Sequence, residues 1–511
     1  MVQTKKANLP KDYDIIIVGS GAGGGTAAYA LAKAGKRVLI VERVRKLNDS
    51  EILQDEEQMI IRRVAHDNRE LIVNGRAERL FIGGVVGGGT SLYGGALLRP
   101  SPKDFHPGLY YEDYLPRQLW DWPINYEHLS PYYEQAEDLY LVSGDNSQAI
   151  PHLAKREHSY NGKMPQLQPI NEILCQRLKA KGLSPFHLPL AIDFTQCLLC
   201  PSCPGYGCPN ESRASSFSCC IKPAIDQYGA HLWTETEAVK LNTDSHRTVE
   251  SITVRHVRTG QRREIRAETY LISAGAIGTP VLLMHSGIGD SSSNLGRNFM
   301  YHAGAIVVCI FVKPTGGSER FIKQLAWTND YFGTSDFSHK LGYVQMLPIP
   351  GPLSLKKESP IPLPLPLARF LYKRGVIFTG CVEDLPQAEN RIELKANGRI
   401  WLHHRFHEYD IFRSKYYLRR LKNLLRKCGA SIVIGATSER DDIHTAHQVG
   451  TCRFGNDSKT SVLNPMCRLH EIDNVFVVDG SFMPTSLGVG PALTIIANAL
   501  RVSDYIIKEG L

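Results

Sequence analysis

Residues 14–42 read DIIIVGSGAGGGTAAYALAKAGKRVLIVE, and the fold turns on this stretch. Its first five residues (DIIIV) are a short apolar run led by an aspartate, of the kind that fills a parallel strand buried on both faces. Glycines follow at once. Residues 26–34 (TAAYALAKA) then have helix-forming composition, and residues 36–41 (KRVLIV) form a second apolar run that ends on Glu42. The pattern predicts a β–α–β unit of about 30 residues. Within its turn, Gly19, Gly21 and Gly24 match G-x-G-x-x-G. The first glycine permits the tight turn, the second lets a phosphate approach the backbone, and the third lets helix and strand pack closely. A pyrophosphate then meets the positive end of the helix, and Glu42 stands where a carboxylate accepts hydrogen bonds from a ribose. The motif alone does not separate FAD from NAD.

The 511 residues exceed one small domain and predict two, or one with a large insertion. Apolar residues at 43% and charged residues at 22% are ordinary for a folded chain. The 59 Lys and Arg against 51 Asp and Glu give a net charge of +8. That mild excess is spread widely and does not suggest nucleic-acid binding. The polar start of the chain carries no secretory signal, and no apolar run reaches the roughly 18 residues of a spanning helix. A cytoplasmic protein without a transmembrane segment is expected.

Further along, residues 43–80 are charged and read as partly helical, and 110–142 as helical. Residues 270–274 (YLISA) and 475–478 (VFVV) are buried strands, with helices expected at 280–285 and 491–506. Residues 305–312 and 391–402 look like strands of a separate sheet, and 409–426 a helix. The expected architecture is α/β: a discontinuous Rossmann-like nucleotide domain over 1–150, 195–300 and 441–511, and an α+β substrate domain with an antiparallel sheet over 151–194 and 301–440.

Four further segments carry a family resemblance. Ile82-Gly83-Gly84 through Gly87-Gly88-Gly89-Thr90-Ser91, then Arg99-Pro100 and Asp104-Phe105, form one. Ser273-Ala274-Gly275-Ala276-Ile277-Gly278-Thr279-Pro280 with Ser286-Gly287-Ile288-Gly289 form another. His447-Gln448-Val449-Gly450-Thr451-Cys452 and Asp479-Gly480-Ser481 with Met483-Pro484-Thr485 complete the set. Together they resemble the signatures of the glucose–methanol–choline (GMC) oxidoreductases over nearly the whole chain.

The resemblance implies FAD and oxidation of an alcohol carbon by hydride transfer to flavin N5. It also implies cofactor contacts from Arg43, Gly84, Gly88, Gly89, Thr90, Tyr93, Gly94, Val239, Ala274, Gly275, Asp479, Gly480, Gly490, Pro491, Ala492 and Leu493, beside those of the first turn. His447 takes the place of the family's catalytic base, and a neutral imidazole suits removal of the hydroxyl proton.

Two positions depart from the pattern. Tyr93 and Gly94 stand where many relatives carry an Asn beside the flavin. Gly490 stands where a second His or Asn is expected, and glycine has no side chain to hold a substrate hydroxyl. Three explanations stay open: His444 substitutes, a residue of the substrate domain reaches in, or alcohol oxidation is altered or lost. Under the last, a flavin-dependent lyase, a light-driven decarboxylase or a non-catalytic FAD-binding protein would share the fold.

Of twelve cysteines, Cys197, Cys200, Cys203 and Cys208 form a CxxCxxCxxxxC run. Such thiolates can ligate an iron–sulfur cluster or zinc, and the alternative is free thiols in a loop. A cluster would favour a quinone or an electron-transfer protein over oxygen as electron acceptor. Residues 347–367 are rich in Pro and Leu and read as an ordered loop, or else as a lid admitting a lipophilic alcohol.

Overall fold

The computed structural model describes residues 12–46, 54–244, 247–437 and 446–511. The opening stretch folds as β1 (Tyr13–Val18), α1 (Ala22–Lys33) and β2 (Val38–Val41). β1 is the middle strand of a five-stranded sheet. Its order is Val475–Val477, Ala267–Ile272, β1, β2 and His231–Trp233, with every neighbour parallel. Ile15, Ile16, Ile17, Leu39 and Ile40 are wholly buried, as strands covered on both faces must be. The C-terminal helix Ala492–Glu509 returns to the core beside α1, so the two helices share one core.

The turn glycines do different jobs. Gly19 has φ +96°, and a Cβ there would lie 2.2 Å from the Ser273 carbonyl oxygen. A Cβ on Gly23 would meet Val478 O at 1.8 Å, and one on Gly24 would meet Gly19 O at 2.0 Å. These three let backbone pack on backbone. Gly21 has nothing within 4 Å of its missing Cβ.

A second, antiparallel sheet has six strands: Ile432–Thr437, His302–Ile310, Gly375–Glu383, Val344–Leu347, Leu325–Trp327 and Phe186–His187. Alternation gives it two unlike faces. Val307, Cys309, Val376 and Phe378 pack on Tyr417, Leu421 and Leu425 of the helix Glu408–Lys427. Ile306, Thr379 and Gln345 stand in one register on the other face, which roofs the central cavity.

Three expectations are corrected. Residues 43–80 were to be partly helical; the described part holds only the five-residue π-helix Glu57–Ile61 and a hairpin, Leu71–Val73 with Arg76–Glu78. Asn74 and Gly75 make its turn, both at positive φ (48° and 88°), the Asn-Gly signature of a two-residue hairpin. Strands Arg391–Leu394 and Ile400–His403 join that hairpin, with Trp401 opposite Ile72, rather than the roof sheet. The Pro/Leu-rich stretch is not loop alone. Pro352–Glu358 and Leu365–Tyr372 are short helices with proline in the first turn, where no donor is lost. Glu56 accepts from Leu353 N (3.0 Å) and Ser354 N (2.6 Å) and so pins the first of them.

A buried ion cluster joins distant parts of the chain. Lys340 Nζ lies 2.5 Å from Asp104 Oδ1 and 2.6 Å from Glu383 Oε2, with all three side chains at most 1% exposed. Tyr331 OH donates to Asp104 and Tyr111 OH to Glu383. Removing the cation leaves two carboxylates buried without it. Lys340→Met is therefore expected to cost about 3–5 kcal/mol, read as a lowered urea midpoint against wild type.

Candidate functional site

One cavity of about 1040 Å³ runs from Glu42 and Val239, past Gly19–Gly21 and Gly88–Thr90, to His447 and Gly490. At the first end, the Glu42 carboxylate is fixed by its neighbours. Oε2 accepts from Ser20 N (2.8 Å) and Ser20 Oγ (2.6 Å), and Oε1 from Val44 N (3.1 Å). Arg43 also lines the cavity and pairs with Asp67. Burial pushes the Asp67 carboxyl up, but Arg69 and Arg43 outweigh it and hold it at about 2. A bulge in strand Thr236–Thr243 skips Val239, which therefore has no cross-strand partner and faces the cavity.

In the middle, Gly21, Gly89 and Gly275 all have open space where a side chain would stand. Gly88 (φ +55°) comes so near that its Cβ would lie 3.0 Å from Gly21 Cα. Asp479 ties the second signature to the last strand: Oδ2 accepts from Gly275 N (2.9 Å) and Thr279 Oγ1 (2.5 Å), and Oδ1 from Ser481 N (2.8 Å). Pro491 and Ala492, at the N-terminus of the last helix, line the cavity with Gly480 and Ala274. Tyr93 contributes its ring and anchors its hydroxyl on Ala214 O at 2.8 Å.

Three of the expected cofactor residues do not line this space. Gly24 packs on the β1 turn, Gly84 lies against the His66 backbone (2.2 Å from a built Cβ), and Leu493 is wholly buried in the core. His444 lies outside the described residues.

At the far end, His447 is held at φ +79°. Its Nδ1 lies 3.0 Å from Nδ1 of His302, whose Nε2 lies 2.8 Å from the carbonyl oxygen of Leu487. That carbonyl can only accept, so His302 carries its proton on Nε2 and presents a lone pair at Nδ1. His447 then donates from Nδ1 and keeps the lone pair of Nε2. A Cβ on Gly490 would lie 3.5 Å from that Nε2. The His447 ring lines the cavity. Burial first, then His302 and Lys323, push His447 down to about 3, and burial likewise lowers His302. The pair is a neutral relay ending in an acceptor aimed at the cavity.

His302 was not singled out in the sequence. It is one histidine at the start of a strand, 145 residues from its partner, and only the sheet topology brings the two together. Lys323 and Gln345 were missed for the same reason.

Cys197, Cys200, Cys203 and Cys208 share one loop, but among the described residues no group of three or more His, Cys, Asp or Glu is disposed to hold a metal ion. Cys197 accepts from Leu199 N, and Cys208 from Arg213 N while lying 3.5 Å from Asn210 Oδ1. Burial pushes the Cys203 thiol up to about 11. Among the described residues, no helix is long and apolar enough to cross a membrane.

Family models described as GMC oxidoreductase match residues 13–304 and 386–499. The chain is 29% identical to the 6'''-hydroxyparomomycin C oxidase of Streptomyces lividus, covering 97% of this chain and 91% of that one. It is 26% identical to the 2-methyl-1,2-propanediol dehydrogenase of Mycolicibacterium austroafricanum, covering 97% and 95%. Among solved structures, an Aspergillus oryzae formate oxidase variant superposes with TM-score 0.72 at 17% identity, covering 98% and 99%.

Proposed function

The chain belongs to the GMC oxidoreductase family, and on that premise we propose that it oxidises an alcohol CH–OH group with FAD, using His447 as the base. The observation that carries this reading is the Nε2 lone pair of His447, turned into the cavity by the His302–Leu487 relay. The cavity fits the cofactor. Gly21, Gly88 and Gly89 form a cradle for a pyrophosphate, Glu42 offers a carboxylate to a ribose, and the last helix points its positive end inward. When bound, FAD supplies the acceptor for the hydride that leaves the alcohol carbon.

The protein's own part is to take the hydroxyl proton. Nε2 of His447 accepts it, and the positive charge that develops is shared through Nδ1–H with His302. Gly490 removes the second polar side chain the family pattern called for. His302, from the roof sheet, supports the base from behind. The missing side chain leaves room beside Nε2 for the substrate.

The test is anaerobic. Purified protein is mixed with a panel of alcohols, and bleaching of the flavin's long-wavelength absorbance is followed by stopped flow. Bleaching by at least one alcohol is expected; no bleaching by any would remove the reading. His302→Leu should slow bleaching less than loss of His447 itself, because it frees the base to take the wrong tautomer without removing it. The pH profile is a further check. With His447 at about 3, the proton acceptor is free at every higher pH. The rate should fall only as pH drops through about 3, with no acid limb near the 6.5 of a free imidazole.

A further inference from the structure

Lys323 lies on the roof side of the same cavity and is 3% exposed. Its Nζ donates to the carbonyl oxygen of Gly94 at 2.8 Å. Among the described residues it has no ion pair with a carboxylate. Among the described residues, the remaining two N–H groups of an ammonium have no acceptor. Its place is fixed from both sides. Gln324, beside it, is wholly buried; its side-chain Oε1 accepts from Gln168 N (2.9 Å) and Asn171 Nδ2 (2.6 Å), and its carbonyl oxygen accepts from Leu188 N (2.8 Å). At position 94 any side chain would collide with the amine, since a Cβ would lie 2.2 Å from Nζ. Glycine there makes the space this lysine occupies.

A buried cation without an anion is costly to keep. Burial accordingly lowers Lys323 to about 7, against a raising effect of Cys203 and a further lowering by Arg213. The proton relay does not use it, yet its charge is felt at His447. Gln345 adds a second unsatisfied group to this half of the cavity, a buried Oε1 with no hydrogen-bond partner.

We propose that Lys323 binds a carboxylate of the substrate, so that this enzyme acts on hydroxy acids. The inference rests on the alcohol-oxidation reading and names its substrate class. A carboxylate supplies one negative charge and two acceptor oxygens, which match one ammonium with two free N–H groups. A phosphate dianion calls for more positive charge than one lysine, and an amine-bearing alcohol would be repelled.

The experiment uses the FAD-loaded protein. Acetate, which cannot be oxidised here, is titrated while the flavin spectrum is recorded, and glycerate is compared with glycerol as substrate. Acetate should perturb the spectrum saturably and compete with glycerate. The ratio of kcat/KM for glycerate over glycerol should exceed one and fall about 10–100-fold in Lys323→Met, the loss of one charged hydrogen bond. Lys323→Arg should keep part of that ratio.

A wild type that ignores acetate and prefers glycerol would overturn the proposal, as would a Lys323→Met ratio unchanged from wild type. Tighter perturbation by inorganic phosphate than by acetate would overturn the carboxylate assignment. If Lys323→Met cannot be purified with flavin, the wild-type titration and the substrate pair still decide. Should no alcohol bleach the flavin while acetate still binds, the oxidation reading fails and the anion site stands.

Discussion

Gly21→Val is expected to give a folded protein that no longer holds FAD. The reasoning separates Gly21 from its neighbours in the turn. Gly19, Gly23 and Gly24 press on Ser273, Val478 and Gly19 backbone at 2.2, 1.8 and 2.0 Å from a built Cβ, so a side chain there meets protein. Gly21 meets nothing within 4 Å, because the space beside it belongs to the cavity. An isopropyl group would fill the cradle that Gly21 shares with Gly88 and leave the β1–α1 packing intact. The thermal midpoint of the cofactor-stripped variant should match that of stripped wild type, while flavin content after purification falls to near zero. Gly23→Ala should do the reverse, lowering the midpoint of the stripped protein. A Gly21→Val protein with full flavin content would show that the pyrophosphate does not lie where the turn suggests.

The reach of sequence reading follows from the range of the forces involved. The β1–α1–β2 unit was legible because its apolar runs, turn and terminal acid lie within 29 residues and obey local rules. The helix Glu408–Lys427 was legible for the same reason. Strands Arg391–Leu394 and Ile400–His403 were legible as strands, but their partner was not, since pairing with Leu71–Val73 is a matter of topology and leaves no local trace. The Asn74-Gly75 hairpin did leave a trace; it was masked by the charge of the surrounding stretch.

The site divides along the same line. Glycines that cradle a cofactor come in motifs, so nearly all of them reach the cavity. Glu42 was visible, but Ser20, which fixes its carboxylate, was not. A second His or Asn was sought at position 490, where the family pattern puts it; the histidine that meets His447 stands at 302, on another sheet. A side chain's partner can move to a distant element if the partner atoms still meet, and sequence spacing cannot follow that move.

His447→Ala should lower the rate of flavin reduction by alcohol about 10²–10⁴-fold while leaving FAD content unchanged. The magnitude is that of general-base catalysis lost from an otherwise intact site. Retention of FAD follows from the contacts: the His447 side chain bonds to His302, while Glu42, Gly21 and Gly275 stand elsewhere along the cavity. Alanine also leaves an imidazole-sized gap beside Gly490, so free imidazole should restore part of the lost rate in proportion to its concentration. Rescue distinguishes a proton acceptor from a residue that only shapes the pocket, because a shaping role would not depend on the basicity of the added molecule. A series of substituted imidazoles should therefore rescue better as their pKa rises, once corrected for size. His302 would then face the gap with an unpartnered Nδ1 lone pair, at a cost of about 1–3 kcal/mol in stability for a buried unsatisfied acceptor. Flavin reduction at the wild-type rate in His447→Ala would move the proton to another acceptor, and the His302–Leu487 relay would then be structural.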